Sequence, residues 1–185
     1  MSQERIAIIG TGLIGTSIGL VLTGRKDRKY EVVGSDLERS RARTAKKMGA
    51  IDQEISSYRD AVKEAGLVIL AVPVLAARDV MENMAEFLRP GAVVTDTCST
   101  KASVLQWAGE LLGKEIHFVG GHPMAGKEQS GPKAASADLF KGASWALVPS
   151  PDASEESVRV VHGMITLAGA EAVYIDGAEH DQYVA

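Results

Sequence analysis

A glycine-rich turn near the start of the sequence is the first feature with a recognisable chemistry. Gly10, Gly12 and Gly15 are spaced as Gly-x-Gly-x-x-Gly, between an apolar run over 5–9 and a helical pattern over 13–23. In such a turn the first glycine permits the tight bend and the second lets the backbone approach a pyrophosphate. The third lets the helix pack on the strand. This context predicts a dinucleotide-binding turn rather than a turn that uses glycine only for packing.

The helix after this turn supplies the second half of the predicted phosphate site. It begins with Leu13 and Ile14, so a pyrophosphate there would meet free N–H groups and the positive end of the helix dipole. Asp36 ends the second apolar run at close to the expected spacing of about 20 residues after the last glycine. Its carboxylate would accept hydrogen bonds from ribose hydroxyls and repel a 2′-phosphate, which predicts NAD rather than NADP as the cofactor.

Three arginines follow Asp36 closely and bear on this prediction. Arg39, Arg41 and Arg43 could tolerate the phosphate of NADP, or they could form an ordinary solvated helix face. We favour the solvated face, which leaves NAD as the expected cofactor.

Two further strand ends carry residues that could contact a ligand. Val72 and Pro73 follow an apolar run, at the edge where open α/β sheets bind ligands, so we predict cofactor contact there. Ser99 follows the predicted strand 92–96 and could face the same ligand, or it could be the N-cap of the next helix. Cys98 beside it is interpreted as a small buried apolar side chain, not a nucleophile.

A histidine in a glycine-rich segment is the strongest candidate for acid–base chemistry. His122 lies within Gly-Gly-His-Pro-Met-Ala-Gly, and the proline after it favours an extended backbone. The flanking glycines allow a ligand to approach closely. We predict that a strand ends at residue 120 and that 120–143 is a long irregular loop of the kind that often carries function.

The pattern around these residues predicts a doubly wound α/β fold with a mostly parallel, Rossmann-like sheet. Short apolar runs without a polar face alternate with helical spacing almost throughout, as buried parallel strands require. Ser154 is expected to cap one helix and Gly49 to end another. The predicted strands are 5–9, 31–34, 67–72, 92–96, 117–120, 144–148 and 172–175, and the predicted helices include 13–23, 74–88, 101–112 and 155–168.

Composition excludes several other classes. The 20 Lys and Arg against 24 Asp and Glu leave a net charge of −4, which offers no electrostatic footprint for nucleic acid. The single cysteine excludes an internal disulfide framework and a cysteine-cluster zinc site, and we expect no metal. No stretch approaches the roughly 20 apolar residues of a membrane span. We therefore expect a cytoplasmic protein without nucleic-acid or membrane partners.

Four motifs in order resemble the prephenate dehydrogenase family, with arogenate dehydrogenase as a close relative. They are the glycine turn, Asp-x-x-Ser-x-Lys at 96–101, Gly-Gly-His-Pro-Met-Ala-Gly at 120–126 and Glu-His-Asp at 179–181. The resemblance implies oxidative decarboxylation of prephenate to 4-hydroxyphenylpyruvate in tyrosine biosynthesis. It implies that His122 accepts the hydroxyl proton, that Ser99 hydrogen-bonds the substrate hydroxyl, and that Ser99, His122 and His180 all bind the substrate.

The resemblance also implies a domain organisation. Residues 1–176 would form the dinucleotide-binding domain, and 177–185 would begin a helical second domain that forms a homodimer and holds the ring carboxylate of the substrate. The expectation is a chain that binds NAD and turns over poorly alone. Two alternatives remain open at this point: arogenate as the substrate, and a non-catalytic NAD-binding module.

Overall fold

Residues 4–185, the part of the chain that the computed structural model describes, form eight strands, seven α-helices and two short 3₁₀ helices, Ala85–Phe87 and Pro132–Ala134. The strands are β1 (Glu4–Ile9), β2 (Tyr30–Ser35), β3 (Gln53–Glu54), β4 (Ala65–Leu70), β5 (Val93–Asp96), β6 (His117–Pro123), β7 (Ser144–Pro149) and β8 (Glu171–Tyr174). The helices are α1 (Leu13–Thr23), α2 (Arg39–Lys47), α3 (Tyr58–Val62), α4 (Val74–Met84), α5 (Ala102–Leu111), α6 (Glu155–Leu167) and α7 (Gly177–Val184).

The strands form one sheet in the order β3-β2-β1-β4-β5-β6-β7-β8. All neighbouring pairs are parallel except β6 and β7, which run antiparallel. The direction of the order reverses next to β1, and open α/β sheets bind ligands at such a switch point. The predicted doubly wound, mostly parallel sheet is confirmed.

Apolar side chains bury both faces of the sheet, which is why the central strands lack polar alternation. Along β1, Ile6 and Ile8 join the core on one face, while Ala7 and Ile9 join the core on the other. The first core also holds Trp145, whose ring packs 4.9 Å from that of Phe140 between centroids. This two-sided burial holds the carboxyl ends of β1, β2, β4 and β5 at one rigid edge.

Most predicted boundaries agree with the structure, and one difference bears on the site. Helix α1 has the predicted bounds, the Ser154 hydroxyl accepts a hydrogen bond from the Ser157 amide at 3.1 Å, and Gly49 has φ +79°. The prediction that the strand ends at residue 120 is wrong, because pairing with β7 continues to Pro123. His122 therefore lies inside a paired strand, opposite Ala146, and the irregular segment begins only after it.

Among the helices described within residues 4–185, none combines the length and apolar character that crossing a membrane requires.

Candidate active site

A cavity of about 1230 Å³ opens at the carboxyl edge of the sheet. It is larger than the roughly 300–1000 Å³ typical of small-molecule pockets, and its lining extends from the glycine turn to Ser99. The lining includes most of the predicted ligand residues: Gly10, Gly12, Leu13, Ile14, Asp36, Val72, Pro73 and Ser99. The first seven of these are predicted cofactor contacts, so the structure brings them together.

The three glycines of the turn perform three different steric tasks. Gly10 has φ +94°, and a Cβ there would lie 2.4 Å from the carbonyl oxygen of Ala71. A Cβ on Gly15 would lie 1.9 Å from the carbonyl oxygen of Gly10, so this residue lets α1 pack against the turn. A Cβ on Gly12 would meet nothing within 4 Å, because this position faces the open cavity. No packing contact therefore requires a glycine at position 12, and its small size leaves room for a ligand to approach the backbone.

The first turn of α1 presents its backbone to the same cavity. Gly12 is the N-cap and makes no side-chain capping hydrogen bond, and the first turn contains no acidic residue. The amide groups at this helix end are thus left for a ligand, and the helix dipole favours an anionic one.

Hydrogen bonds from two residues, Thr11 and Glu38, hold the carboxylate of Asp36 in place. One oxygen, Oδ2, accepts from the amide of Thr11 at 2.7 Å and from the Thr11 hydroxyl at 3.1 Å. The other, Oδ1, accepts from the amide of Glu38 at 2.9 Å. Thr11 is fully buried, and sequence reasoning missed its role because the second position of a glycine turn has no required residue type.

The arginines that follow Asp36 are exposed, as expected of a solvated helix face. Arg41 pairs with Glu38 at 2.8 Å, while Arg39 and Arg43 lie 3.7 and 3.8 Å from Glu54. Two of them, Arg39 and Arg41, also line the cavity.

A second carboxylate, Asp96, lies at the end of β5 and is completely buried. It forms an ion pair with Lys101, which is equally buried. It also accepts from the amide of Cys98 at 2.9 Å and from the amide of Gly121 at 3.0 Å. These two amides immediately precede Ser99 and His122, so one carboxylate positions the backbone at both predicted catalytic residues.

Ser99 is exposed on the cavity wall and does not cap a helix. Helix α5 begins at Ala102, and the carboxylate of Asp181 accepts from the amides of Lys101 at 2.7 Å and Ala102 at 2.9 Å. Because Asp181 in α7 performs the capping, the Ser99 hydroxyl remains available to a ligand.

His122 ends a hydrogen-bonded chain of three side chains. Its Nδ1 lies 2.9 Å from Nε2 of His180, and Nδ1 of His180 lies 2.8 Å from Oδ1 of Asp181. His180 is 1% exposed and both of its ring nitrogens are engaged, whereas His122 is half-buried; neither histidine is among the residues that line the cavity. Asp181 belongs to the Glu-His-Asp motif of the family resemblance, but the sequence alone indicates no role for it.

The carboxylate of Asp181 determines which groups donate and which accept along these hydrogen bonds, because it can only accept. An ionised carboxylate only accepts, and a neutral imidazole donates from one nitrogen and accepts at the other. Burial of Asp181 opposes ionisation, but hydrogen bonds from His180, Ala102 and Lys101 hold the pKa of this carboxyl below its usual range. With a neutral imidazole at both positions, His180 donates from Nδ1 and accepts at Nε2, and His122 donates from Nδ1. This leaves a lone pair on Nε2 of His122.

Burial also keeps His122 neutral. Desolvation, with smaller contributions from His180 and Lys101, lowers the pKa of His122 to about 4, against the opposing effect of Asp96 and Asp181. The imidazole is thus an unprotonated acceptor across the physiological pH range.

The thiol of Cys98, next to Ser99, is unreactive. Burial, reinforced by the charge of Asp96, raises the pKa of Cys98 to about 12. The side chain is 3% exposed and protonated at neutral pH, which agrees with its interpretation as a small apolar group. Within residues 4–185, no group of three or more His, Cys, Asp or Glu side chains is placed to hold a metal ion.

The chain is similar to known proteins over nearly its whole length. The model of the prephenate dehydrogenase nucleotide-binding domain matches residues 19–174. A prephenate dehydrogenase of Lactococcus lactis subsp. cremoris is 35% identical over 97% of the chain, and one of Bacillus subtilis is 34% identical over 97%. The chain covers 49% and 48% of these two proteins, so it spans about half the length of the curated relatives it matches.

Solved structures agree with the sequence relatives. A prephenate dehydrogenase from A. aeolicus, in complex with hydroxyphenyl propionate and NAD+, superposes with a TM-score of 0.88 at 28% identity, covering 99% of this chain and 63% of the other. An arogenate dehydrogenase from Synechocystis superposes with a TM-score of 0.89 at 27% identity, covering 97% and 62%.

Gly15 and Gly12 have opposite surroundings, one crowded and one open, so alanine substitutions at the two positions test the packing role of Gly15. Gly15→Ala is expected to lower the free energy of unfolding by about 1–3 kcal/mol, because its Cβ must push the helix off the turn. Gly12→Ala, whose Cβ enters open space, is expected to leave most of the stability intact. Urea unfolding of the two variants and the wild type measures this. Equal destabilisation by both would contradict the packing role of Gly15.

The lowered pKa of His122 predicts a loss of stability in acid. Because the folded value of about 4 lies below the ordinary value of about 6.5, the unfolded chain binds a proton in this window that the folded chain excludes. The free energy of unfolding should therefore fall as pH decreases from about 6.5 to about 4. His122→Asn cannot titrate and should show a shallower decline in urea midpoints over this range. Identical slopes would mean that His122 titrates normally.

Proposed function

This chain belongs to the prephenate dehydrogenase family, and on that premise we propose that it binds NAD in the large cavity and supplies the proton acceptor for oxidation of prephenate. The observation that carries the proposal is the hydrogen-bonded chain from Asp181 through His180 to His122. That chain leaves one lone pair on a neutral imidazole, one residue away from a backbone amide bound to Asp96. A non-catalytic nucleotide-binding module has no need of such an arrangement.

The residues around the cavity suit NAD. Gly12 leaves space at the N-terminus of α1 for the pyrophosphate, and Asp36 offers a carboxylate to the ribose hydroxyls. Val72 and Pro73 form part of the same wall. When bound, NAD supplies the hydride acceptor, while the protein supplies position and electrostatics.

His122 would receive the proton of the substrate alcohol. The substrate is a cyclohexadienol that bears a ring carboxylate and a pyruvyl arm. As the hydride leaves the carbinol carbon, the O–H bond breaks and its proton moves to Nε2 of His122. The resulting positive charge on His122 is balanced through His180 by Asp181. Loss of carbon dioxide then gives the aromatic 4-hydroxyphenylpyruvate.

Ser99 and His180 have supporting roles in this proposal. The exposed hydroxyl of Ser99 on the cavity wall would hydrogen-bond the substrate hydroxyl and orient it toward His122. His180, with both nitrogens engaged, would act through His122 by fixing its tautomer, and not by touching the substrate. This revises the expectation that His180 contacts the substrate directly.

Arogenate is the second candidate substrate, favoured by the likeness to the Synechocystis arogenate dehydrogenase. The two substrates differ only in the side arm, a keto acid or an amino acid. The proton and hydride steps assigned to this chain are the same for both. Paired assays with prephenate and arogenate in the intact gene product distinguish them, and a preference for arogenate would replace prephenate in the proposal.

Domain organisation, assembly and location remain predictions. We propose that the boundary at 176/177 separates a dinucleotide-binding domain from the first element of a substrate-binding domain, and that the working enzyme is a cytoplasmic homodimer. The support is the family resemblance and the single, unpaired cysteine. Sedimentation of the intact gene product tests the dimer, and a monomer at micromolar concentration would contradict it.

Calorimetric titration of this chain with NAD, and separately with NADP, tests the cofactor assignment. We expect saturable binding of NAD that is much tighter than binding of NADP, because Asp36 repels a 2′-phosphate. Gly12→Ala should weaken NAD binding about tenfold or more while the chain stays folded, since its methyl group occupies the space of the pyrophosphate. Tighter binding of NADP, or no effect of Gly12→Ala, would overturn the assignment.

Substitutions of the histidine chain test the proton acceptor. In the intact gene product, His122→Asn should lower kcat by about 10²–10⁴ with little change in the Kd of NAD. Asp181→Asn should also lower kcat strongly. An asparagine has one acceptor oxygen where the carboxylate has two, so it cannot accept from His180, Lys101 and Ala102 as Asp181 does, and the hydrogen-bond direction that leaves Nε2 of His122 unprotonated is no longer fixed.

Asp176→Asn is the matched control for this substitution. Asp176 lies in the same helix region as Asp181 and caps α7, where its carboxylate accepts from the amides of Ala178 and Glu179. Its backbone carbonyl accepts from the His180 amide at 2.8 Å, which the substitution leaves in place, and its carboxylate has no hydrogen bond to either histidine ring. It should weaken the helix while retaining most of the activity. A loss of kcat in Asp176→Asn as large as in Asp181→Asn would show that helix stability, and not the tautomer, governs the rate.

A further inference from the structure

We propose that Thr11 determines the selectivity for NAD over NADP by locking the carboxylate of Asp36 in place. The inference rests on the proposed function, because it concerns the same cofactor site. It assigns Thr11 as a positioning residue that acts through Asp36 and need not touch the cofactor.

The lock consists of two donors from one residue on one oxygen. The amide and the hydroxyl of Thr11 lie 2.7 and 3.1 Å from Oδ2 of Asp36. Thr11 is held in turn, because its carbonyl oxygen accepts from the hydroxyl of Thr16 at 2.9 Å. Its methyl group packs beside Gly34, where an added Cβ would lie 3.2 Å away from it. A fully buried side chain with these contacts leaves the carboxylate no freedom to rotate away.

The lock leaves the other oxygen for the ribose. Oδ1 of Asp36 accepts from a single donor, the amide of Glu38 at 2.9 Å, and Asp36 lines the cavity. A carboxylate oxygen accepts more than one hydrogen bond, so Oδ1 retains capacity for a ribose hydroxyl. A 2′-phosphate at the same place would meet a negative charge that cannot withdraw.

The cations nearby explain why the carboxylate must be held. Arg39 and Arg41 line the same cavity, and Arg39 is only loosely paired, with 3.7 Å to Glu54. If Asp36 could swing aside, the guanidinium group of Arg39 would be able to bind a 2′-phosphate. Selectivity therefore depends on the immobility of Asp36 as well as on its charge.

Thr11→Val and Thr11→Ser separate the hydroxyl from the rest of the side chain. Valine keeps the shape but replaces the donor by a methyl group, which must stay about 3.3–3.6 Å from oxygen and pushes the carboxylate out of place. Serine keeps the donor and loses only the methyl group. Calorimetric Kd values for NAD and for NADP are measured on this chain, with circular dichroism to verify folding.

The expected result is a change in the ratio of the two Kd values. Thr11→Val should weaken NAD and leave NADP unchanged or tighter, so that selectivity falls about tenfold, whereas Thr11→Ser should remain close to the wild type. In an Asp36→Asn background, Thr11→Val should change the ratio no further, because the charge that it positions is gone.

Four results would overturn the inference, and the last would overturn the proposed function as well. Wild-type selectivity in Thr11→Val, or an equal loss of both cofactors in that variant, would show that Thr11 has no role in selection while NAD binding stands. A further loss of selectivity in the Asp36→Asn background would show that Thr11 does not act through Asp36. If the wild-type chain bound neither cofactor, the proposed function would fail together with the lock.

Discussion

The candidate active site depends on one buried carboxylate. Asp96 has no exposed surface, yet it holds the amides before Ser99 and before His122 and pairs with the ammonium group of Lys101. A carboxylate removed from water is stable only if its oxygens are matched by donors, and here three donors converge on it. The position of two separate chain segments is therefore a consequence of satisfying a single charge. Removing Lys101 would leave the charge uncompensated, and removing either amide would leave a carboxylate oxygen one donor short, so the geometry is strongly enforced.

These contacts close into a ring that includes the last helix. Lys101 donates from its ammonium group to Asp96 and from its amide to Asp181. Asp181 accepts from His180, which accepts from His122, and the residue before His122 returns to Asp96. Because each link constrains the next, α7 is part of the site and not an appendage to the sheet. A displacement of α7 would change the tautomer of His122 and the start of α5 together.

Local spacing predicted the parts of the site that are formed within one βα unit. The glycine turn, α1 and Asp36 follow from short-range pattern, since the turn and the strands on either side are contiguous in sequence. The link between Lys101 and Asp181 spans 80 positions and that between His122 and His180 spans 58, and no periodicity reports such pairings. The extension of β6 to Pro123 also depended on a distant partner, because pairing with β7 carries the strand on through the already extended His122. Thr11 was missed for another reason: a threonine in a turn gives no signal of where its hydroxyl points.

Three carboxylates, Asp36, Asp96 and Asp181, use the same physical property for different ends. An ionised carboxylate accepts and never donates, so every group placed against it must present a hydrogen. At Asp96 this property fixes backbone position, at Asp181 it fixes which nitrogen of a distant imidazole carries a proton, and at Asp36 it fixes the charge presented to a nucleotide. In all three places the carboxylate fixes the donor-to-acceptor direction of the hydrogen bonds around it. Neutral amides and hydroxyls could not do this, because they can act either as donors or as acceptors. The acidic residues of the site therefore act chiefly by determining the hydrogen-bond polarity of their neighbours.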